Sequence, residues 1–183
     1  MAFTKEYKIE NVVASAVLYV DIPLEKLAMT LYNTEYNPEQ FPGLVLRLSR
    51  KRITALIFSS GKIVCTGAKS VADVREGVQL IIEELAKANI KVTKKPSISI
   101  QNMVASGNLG EELNLVDLAF KLKTAEYDPE RFPGLVYKVP DSHITFLLFG
   151  TGKIVCTGAK NNKEISDAVD DLIKELKKVT KKK

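Results

Sequence analysis

The chain has 183 residues, 45% of them hydrophobic, which suits one domain or two small ones with a packed core and excludes a disordered protein. Its formal net charge of +5 is matched by five lysines in the last seven residues, so the rest of the chain is neutral and the total charge alone does not indicate a nucleic-acid ligand. The chain has no run of about 18 apolar residues and no apolar leading segment, so we expect a soluble cytoplasmic protein with no membrane partner.

The first predicted elements are a strand over residues 8–20, rich in apolar and β-branched residues, and a short helix after it. Pro23 suits the first turn of that helix, and the leucines that follow are spaced as one buried stripe. The matching helix in the second half of the chain begins after Asn114, a residue type that favours the N-cap.

Three short strands and a long helix are predicted next. The strands cover residues 44–48, 53–59 and 62–68, and the tight polar connections between them indicate an antiparallel meander. The helix covers residues 71–88, because its apolar positions follow helical spacing and Ser70 provides a capping signal.

The whole arrangement then repeats at a fixed distance. Residues 36–45 return as 127–136 with eight of ten identities, and residues 60–69 return as 151–160 with nine of ten. Both blocks have the same offset, since 127 − 36 = 91 and 151 − 60 = 91. Two copies predict one duplicated unit with an internal two-fold axis. A ligand that contacts both copies should then have nearly two-fold symmetry as well.

Each copy is therefore predicted to be strand, helix, three strands, helix, with residues 1–91 as the first repeat and 92–183 as the second, which ends in the Lys-rich tail. The two copies should join into one large antiparallel sheet of an α+β fold, with the helices on one face.

Alternation along the strands separates two faces of this sheet. On strand 62–68 the side predicted to lie under the helices carries Ile63, Cys65 and Gly67. The opposite side combines apolar, hydroxyl and basic residues, which is too apolar for an idle surface and too basic for a second core. We therefore predict a binding face there.

The residues that catalysis requires are missing. The pairs Gly61-Lys62 and Gly152-Lys153 lack the other residues of a phosphate-binding loop, and a single histidine, His143, cannot support a catalytic triad. Cys65 and Cys156 lie at matched strand positions and are predicted to be buried free thiols. We expect no enzyme activity, no metal and no cofactor.

The duplicated motifs of residues 36–45 and 60–69, with the phenylalanine that ends strand 53–59, closely resemble the conserved core of the TATA-box-binding protein family in its short archaeal-type form. The resemblance covers nearly the whole chain. It implies a curved, saddle-shaped antiparallel sheet that straddles DNA in the minor groove, with the helices on the convex face. It also implies a general transcription initiation factor of an archaeal-type cell, associated with the nucleoid.

The resemblance assigns three sets of DNA contacts. The phenylalanine wedges that kink the DNA match Phe41, Phe58, Phe132 and Phe149. The contacts to bases and the apolar floor match Asn11, Val13, Leu56, Val64, Thr66, Asn102, Val104, Leu147, Val155 and Thr157. The candidates for phosphate contacts are Arg47, Arg52, Lys62, Lys69, Lys138, Lys153 and Lys160.

A protein partner is implied as well, because two nearly equal halves cannot orient themselves on a near-palindrome. The resemblance places the docking surface for transcription factor B at Asp128, Pro129, Glu130 and Arg131, through which RNA polymerase is reached indirectly. Arg131 stands against Gln40 in the first half, and His143 stands against Arg52, so these positions distinguish the halves.

Two other functions remain open on the residues alone. One is a duplicated open-sheet protein that binds a small molecule or acts as an enzyme. The other is an RNA-binding sheet protein, which normally presents aromatic residues in the middle of its strands for base stacking.

Overall fold

The computed structural model describes residues 1–180, which form ten strands and four helices. The first seven elements in chain order are β1 (Glu6–Val17), α1 (Leu24–Thr30), β2 (Thr34–Glu35), β3 (Leu44–Leu48), β4 (Ile53–Ile57), β5 (Lys62–Ala68) and α2 (Val71–Lys87). The same order then recurs as β6 (Ser97–Asn108), α3 (Leu115–Lys121), β7 (Ala125–Glu126), β8 (Leu135–Lys138), β9 (Thr145–Leu148), β10 (Lys153–Ala159) and α4 (Asn162–Thr180).

All ten strands belong to one antiparallel sheet with the order β2-β3-β4-β5-β1-β6-β10-β9-β8-β7, which confirms the predicted α+β fold class. Each half contains one strand more than predicted. The additional strands, β2 and β7, have two residues each and pair with β3 and β8. Two residues are too few to produce a visible alternation, so the sequence carries no signal for them.

The chain folds into two compact units. The continuous unit comprises residues 11–101, and the split unit comprises residues 1–10 together with the chain from Asn102 onward. Both boundaries fall inside long strands, β1 and β6. The predicted division at residue 91 describes the sequence repeat and stays a prediction.

In the continuous unit, α2 covers one face of strands β3, β4 and β5. Alternate strand residues on that face are buried, among them Leu46, Ala55 and Ile63. The buried stripe of α2, which includes Val78 and Ile81, packs on them, and an added Cβ at Gly77 would lie 2.7 Å from Ile53 Cδ1. The same division into faces holds in the split unit, where Leu135, Leu148, Ile154 and the α4 residues Ile165, Val169 and Leu172 are buried.

The helix caps confirm the capping signals in the sequence. Ser70 Oγ accepts a hydrogen bond from the Asp73 amide at 3.0 Å, and Asn114 Oδ1 accepts one from the Asp117 amide at 3.0 Å. Pro23 lies at the N-cap of α1, one position before the first turn predicted for it.

Cys65 and Cys156 are buried free thiols, as predicted. Loss of solvation on burial raises the pKa of each thiol to about 11. The thiolate is the reactive form, so these cysteines are structural rather than reactive residues.

The Lys-rich tail is helical over the part that the structure describes. Lys177 and Lys178 lie in the last turn of α4, where positive charge favours the negative end of the helix dipole. Lys181, Lys182 and Lys183 lie outside the described residues. Among residues 1–180, no helix is long and apolar enough to cross a membrane.

Candidate nucleic-acid interface

The face of each unit that its long helix leaves uncovered carries a row of residues in register. In the continuous unit Val45, Leu56, Val64 and Ser15 are cross-strand neighbours on β3, β4, β5 and β1. The split unit repeats the row at an offset of 91 with Val136, Leu147, Val155 and Ser106. All eight residues are half-buried. This arrangement gives each unit a continuous, largely apolar surface strip.

The asparagines lie beside these rows, and each forms the same two hydrogen bonds. Asn11 Oδ1 accepts from the Gly67 amide at 2.7 Å, and Asn11 Nδ2 donates to Thr66 Oγ1 at 3.2 Å. Asn102 makes the same two bonds, with Gly158 at 2.8 Å and Thr157 at 3.2 Å. A backbone N–H can only donate, so it holds the oxygen inward and leaves the second Nδ2 hydrogen available to a ligand.

A β-bulge makes these hydrogen bonds possible. Gly67 has φ 99°, and the register of β1 against β5 shifts between Val12 and Ala14. The prediction that Gly67 faces the core is wrong, because the bulge adds one residue and Ala68 is buried in its place. The bulge turns the Gly67 amide toward Asn11.

Four phenylalanines form two matched pairs at the ends of the rows. The ring centroids of Phe41 and Phe58 are 5.8 Å apart at 68°, and those of Phe132 and Phe149 are 5.9 Å apart at 67°. Both are edge-to-face contacts of ordinary favourable geometry. Phe41 and Phe132 are 40% and 38% exposed, although phenylalanine side chains are normally buried in the core.

Local backbone geometry holds each pair together. Phe58 begins the turn between β4 and β5, with its amide bonded to the Lys62 carbonyl at 2.9 Å. Phe41 closes a turn in which its amide donates to the Asn37 carbonyl at 3.0 Å. An added Cβ at Gly43 would come 2.7 Å from the Phe41 ring and 3.1 Å from the Phe58 ring, so glycine is needed for the rings to meet.

The same construction recurs around Phe132, Phe149 and Gly134 in the split unit. The Phe149 amide donates to the Lys153 carbonyl at 3.0 Å, and the Phe132 amide to the Asp128 carbonyl at 3.0 Å. Gly134 allows the same close approach, at 2.6 Å and 3.0 Å.

Basic residues flank both rows. Lys62 and Lys153 are exposed at the first positions of β5 and β10, and neither forms an ion pair with any residue in 1–180. Arg47 pairs with Glu35 at 3.2 Å, and Lys138 pairs with Glu126 at 3.0 Å. Exposed pairs of this kind contribute little to stability, so a phosphate group can replace the carboxylate at low cost.

The remaining basic candidates lie near the hairpin turns and the helix starts. Arg52, Lys69 and Lys160 are exposed, and Arg52 has a left-handed φ of 52°. Its counterpart His143 lies 3.3 Å from Glu164 at the start of α4. A hydrogen bond from the Lys160 amide has the largest effect in lowering the pKa of Glu164, and the hydrogen bond with His143 has the next largest. At this corner the first half therefore carries an arginine and the second half a histidine.

Glu10 and Gln101 also reach this face, which the sequence reasoning missed. Glu10 Oε1 accepts from Ser106 Oγ at 2.6 Å, and Gln101 Nε2 donates to Ser15 Oγ at 2.9 Å. They are matched positions, since 101 − 10 = 91. The sequence signal that could have revealed these positions is the replacement of the carboxylate of Glu10 by the amide of Gln101 in the second copy.

The segment predicted to bind a protein partner is an exposed turn. Asp128 Oδ1 accepts from the Glu130 amide at 3.2 Å, and the Arg131 side chain, 88% exposed, lies 3.5 Å from Asp128. Asn37 makes the equivalent bond to the Glu39 amide at 3.3 Å. The turns are alike in backbone, but the second carries the charged pair Asp128 and Arg131 where the first has the amides of Asn37 and Gln40.

The sequence profile of the family "Transcription factor TFIID (or TATA-binding protein, TBP)" matches the chain twice, over residues 6–88 and 97–179. The chain belongs to the TATA-box-binding protein family. The two matches differ by the same 91 residues as the repeat, since 97 − 6 = 91. This is a family of transcription factors, not of enzymes.

Relatives and a solved structure agree with this membership. The TATA-box-binding protein of Thermoplasma volcanium is 49% identical over 98% of this chain and 98% of its own length. That of Pyrobaculum calidifontis is 49% identical over 94% of this chain and 87% of its own. The structure of Methanococcus jannaschii TBP matches with a TM-score of 0.89 and 48% identity, covering 95% of this chain and 99% of that one.

Proposed function

We propose that this chain is a general transcription initiation factor that binds TATA promoter DNA in the minor groove and kinks it. The observation that carries the proposal is the duplicated face, in which an apolar row, an asparagine donor and a phenylalanine pair recur at an offset of 91. Promoter DNA as the ligand would bring the protein to the nucleoid of an archaeal-type cell.

The chemistry of the rows suits A·T pairs. The minor-groove edge of an A·T pair offers only the acceptors adenine N3 and thymine O2, and the held Nδ2 groups of Asn11 and Asn102 are donors. A guanine would place its amino group against the apolar residues of the rows, such as Val64 and Val155, where it finds no acceptor.

The phenylalanine pairs are suited to wedge between base steps. Each pair presents one ring from a loop and one from a strand end, held in contact by a glycine. An apolar wedge unstacks a base step, and the bend that follows lets the DNA contact more protein surface. This position also argues against an RNA-binding sheet, which would carry its aromatic residues in mid-strand.

Energy transfer between dyes on the two ends of a short duplex tests the kink. Binding to A·T-rich DNA should raise the transfer, and binding to G·C-rich DNA should not. The double variant Phe58→Ala with Phe149→Ala should abolish the rise while low-salt binding persists, because phosphate contacts do not need the wedge.

The matched control is Phe120→Ala, which removes a phenylalanine that is 88% exposed on α3. This variant should bend DNA like the parent protein. Undiminished transfer with the double variant, or transfer that never rises with the parent, would contradict the wedge.

We extend the proposal to recruitment of transcription factor B, and through it RNA polymerase, by the turn Asp128, Pro129, Glu130 and Arg131. The supporting observation is that this turn is exposed and carries the charged residues Asp128 and Arg131 where its counterpart has Asn37 and Gln40. Arg131→Gln should weaken the complex of protein, DNA and transcription factor B in a gel shift, with DNA binding unchanged. Gln40→Glu is the control at the matched turn, and equal complex formation by the parent and Arg131→Gln would defeat the assignment.

A further inference from the structure

An open crevice lies beside α2 in the continuous unit. Its volume is about 560 Å³, and its walls include Arg75, Gln79 and Ile82 of α2 and Lys95, Pro96 and Ile98 of the segment that follows. Ile82 and Ile98 are half-buried and supply an apolar floor, while Arg75, Gln79 and Lys95 are exposed at the rim.

The charge of this crevice is entirely positive. None of its lining residues is acidic, and neither Arg75 nor Lys95 forms an ion pair with any residue in 1–180. The two acids that flank Arg75 in sequence, Asp73 and Glu76, both pair with Lys51, at 3.2 Å and 2.8 Å. Two basic side chains therefore remain available beside an apolar surface.

The matched place in the split unit is occupied by the chain itself. Lys5 stands where the crevice has Pro96, and its Nζ donates to Asp170 at 2.6 Å and to Ser166 at 2.8 Å. Asp170 and Ser166 are the counterparts of Gln79 and Arg75, since 170 − 79 = 91 and 166 − 75 = 91. Tyr7, the counterpart of Ile98, adds a hydrogen bond to Asn162 at 3.3 Å.

Matched positions of the two copies therefore have different side-chain arrangements. In the split unit Asp170 on the helix pairs with Lys5, the residue just before β1. In the continuous unit both members of that pair are absent, because Gln79 replaces the acid and Pro96 replaces the lysine, while Arg75 takes the place of the serine. Arg75 and Lys95 therefore stand at the open position without a carboxylate between them.

We infer that the crevice at Arg75 and Lys95 docks an acidic, apolar segment of a partner protein. The partner's carboxylates pair with the Arg75 guanidinium and the Lys95 ammonium, and its apolar side chains cover Ile82 and Ile98. α2 packs on the face of β3 to β5 opposite to Leu56 and Val64, so this surface is separate from the proposed DNA contacts. The inference does not depend on the proposed function.

A labelled synthetic peptide tests this inference with the whole chain. The peptide consists of Asp, Glu and Leu, with the leucines four residues apart so that they share one face of a helix. Fluorescence anisotropy should show saturable binding, and amide NMR shifts should change around Arg75, Ile82, Lys95 and Ile98. The same peptide with Asn and Gln in place of its acids should not bind.

Two variants separate charge from shape. Arg75→Glu with Lys95→Glu should weaken peptide binding by about tenfold or more, because both cations are reversed. Gln79→Asp with Pro96→Lys adds one acid and one base, keeps the net charge, and copies the Asp170 and Lys5 pair. It should weaken peptide binding as well, by closing the crevice from within.

The charge-matched control is Lys26→Glu with Lys123→Glu, two exposed lysines far from the crevice in sequence, which should leave the affinity unchanged. TATA DNA binding is measured on every variant, so failure of the crevice and failure of the proposed function give different results. Affinity that survives both crevice variants would overturn the inference. So would NMR shifts on the β4 and β5 face, occupation of the crevice by DNA, or dimer formation through it.

Discussion

A left-handed glycine determines where each interface asparagine points. At φ 99°, the Gly67 amide reaches Asn11 Oδ1 at 2.7 Å, and an added Cβ would lie 2.4 Å from the Arg52 carbonyl oxygen. Gly67→Ala should therefore lower the free energy of unfolding by about 1 to 3 kcal/mol or more, since both the backbone strain and the close contact oppose it. Urea unfolding measures the change.

Gly150→Ala is the matched control for that prediction. Its added Cβ would lie 3.7 Å from the nearest neighbouring atom, the Leu113 carbonyl oxygen, and its backbone is not left-handed. No comparable loss of stability is expected there. Equal stability of Gly67→Ala and the parent protein would show that the bulge can relax, and that the asparagine is not held as described.

At the scale of the element, α2 depends on its first turn. Ser70 accepts the hydrogen bond of the Asp73 amide, and the Asp73 carboxylate pairs with Lys51 of the turn between β3 and β4. Ser70→Ala should reduce the free energy of unfolding by about 1 kcal/mol, the usual cost of losing a serine N-cap. Thermal unfolding measures this change. The control is Ser60→Ala, at an exposed turn position where the effect on stability should be near zero. Equal stability of the two variants would refute the role of the Ser70 cap.

Acid should weaken the same helix start. Lys51 and then the Ser70 hydroxyl hold the pKa of Asp73 below its ordinary value. A lowered pKa in the folded state contributes stability that is present above the unfolded pKa and is lost as the pH falls through the folded pKa. This contribution is small, because the pair is solvent-accessible.

At the scale of the whole molecule, the two repeats should contribute equally to DNA affinity. Lys62 and Lys153 are matched, exposed and unpaired within residues 1–180. Lys62→Gln and Lys153→Gln should each reduce the slope of log affinity against log salt by about 0.9, and the double variant by about twice that, if each contacts one phosphate. Titrations at several salt concentrations measure the slope, with Lys26→Gln as the control. A slope that changes for one lysine alone would show that the halves are used unequally.

The sequence predicted those elements that have a strong periodic or capping signal. Strands 44–48 and 62–68 are confirmed to the residue, and the helix at Val71 begins where Ser70 indicated. What the sequence could not show depends on contacts between distant residues. The bulge at Gly67 follows from its pairing with β1, and the two-residue strands exist only because β3 and β8 lie beside them.

In the candidate site, too, only the features with a local sequence signal could be predicted. Side-chain alternation identified the open face, whereas the reach of Glu10 to Ser106 and the closing of one crevice by Lys5 are visible only in three dimensions. The DNA-contact roles of Asn11, Thr66 and the four phenylalanines remain predictions, supported by geometry and by family membership.

The composition of the two compact units has a consequence for the order of folding. The continuous unit spans residues 11–101, and 101 − 10 = 91, one full repeat, so the residues of all its internal contacts are present as soon as that stretch has left the ribosome. Residues 1–10 emerge earlier but belong to the split unit, where Ala2 bonds to Glu111 and Lys5 to Asp170. The earliest segment of this chain is therefore among the last to find its partners, and it must wait through the synthesis of a complete repeat that it does not join.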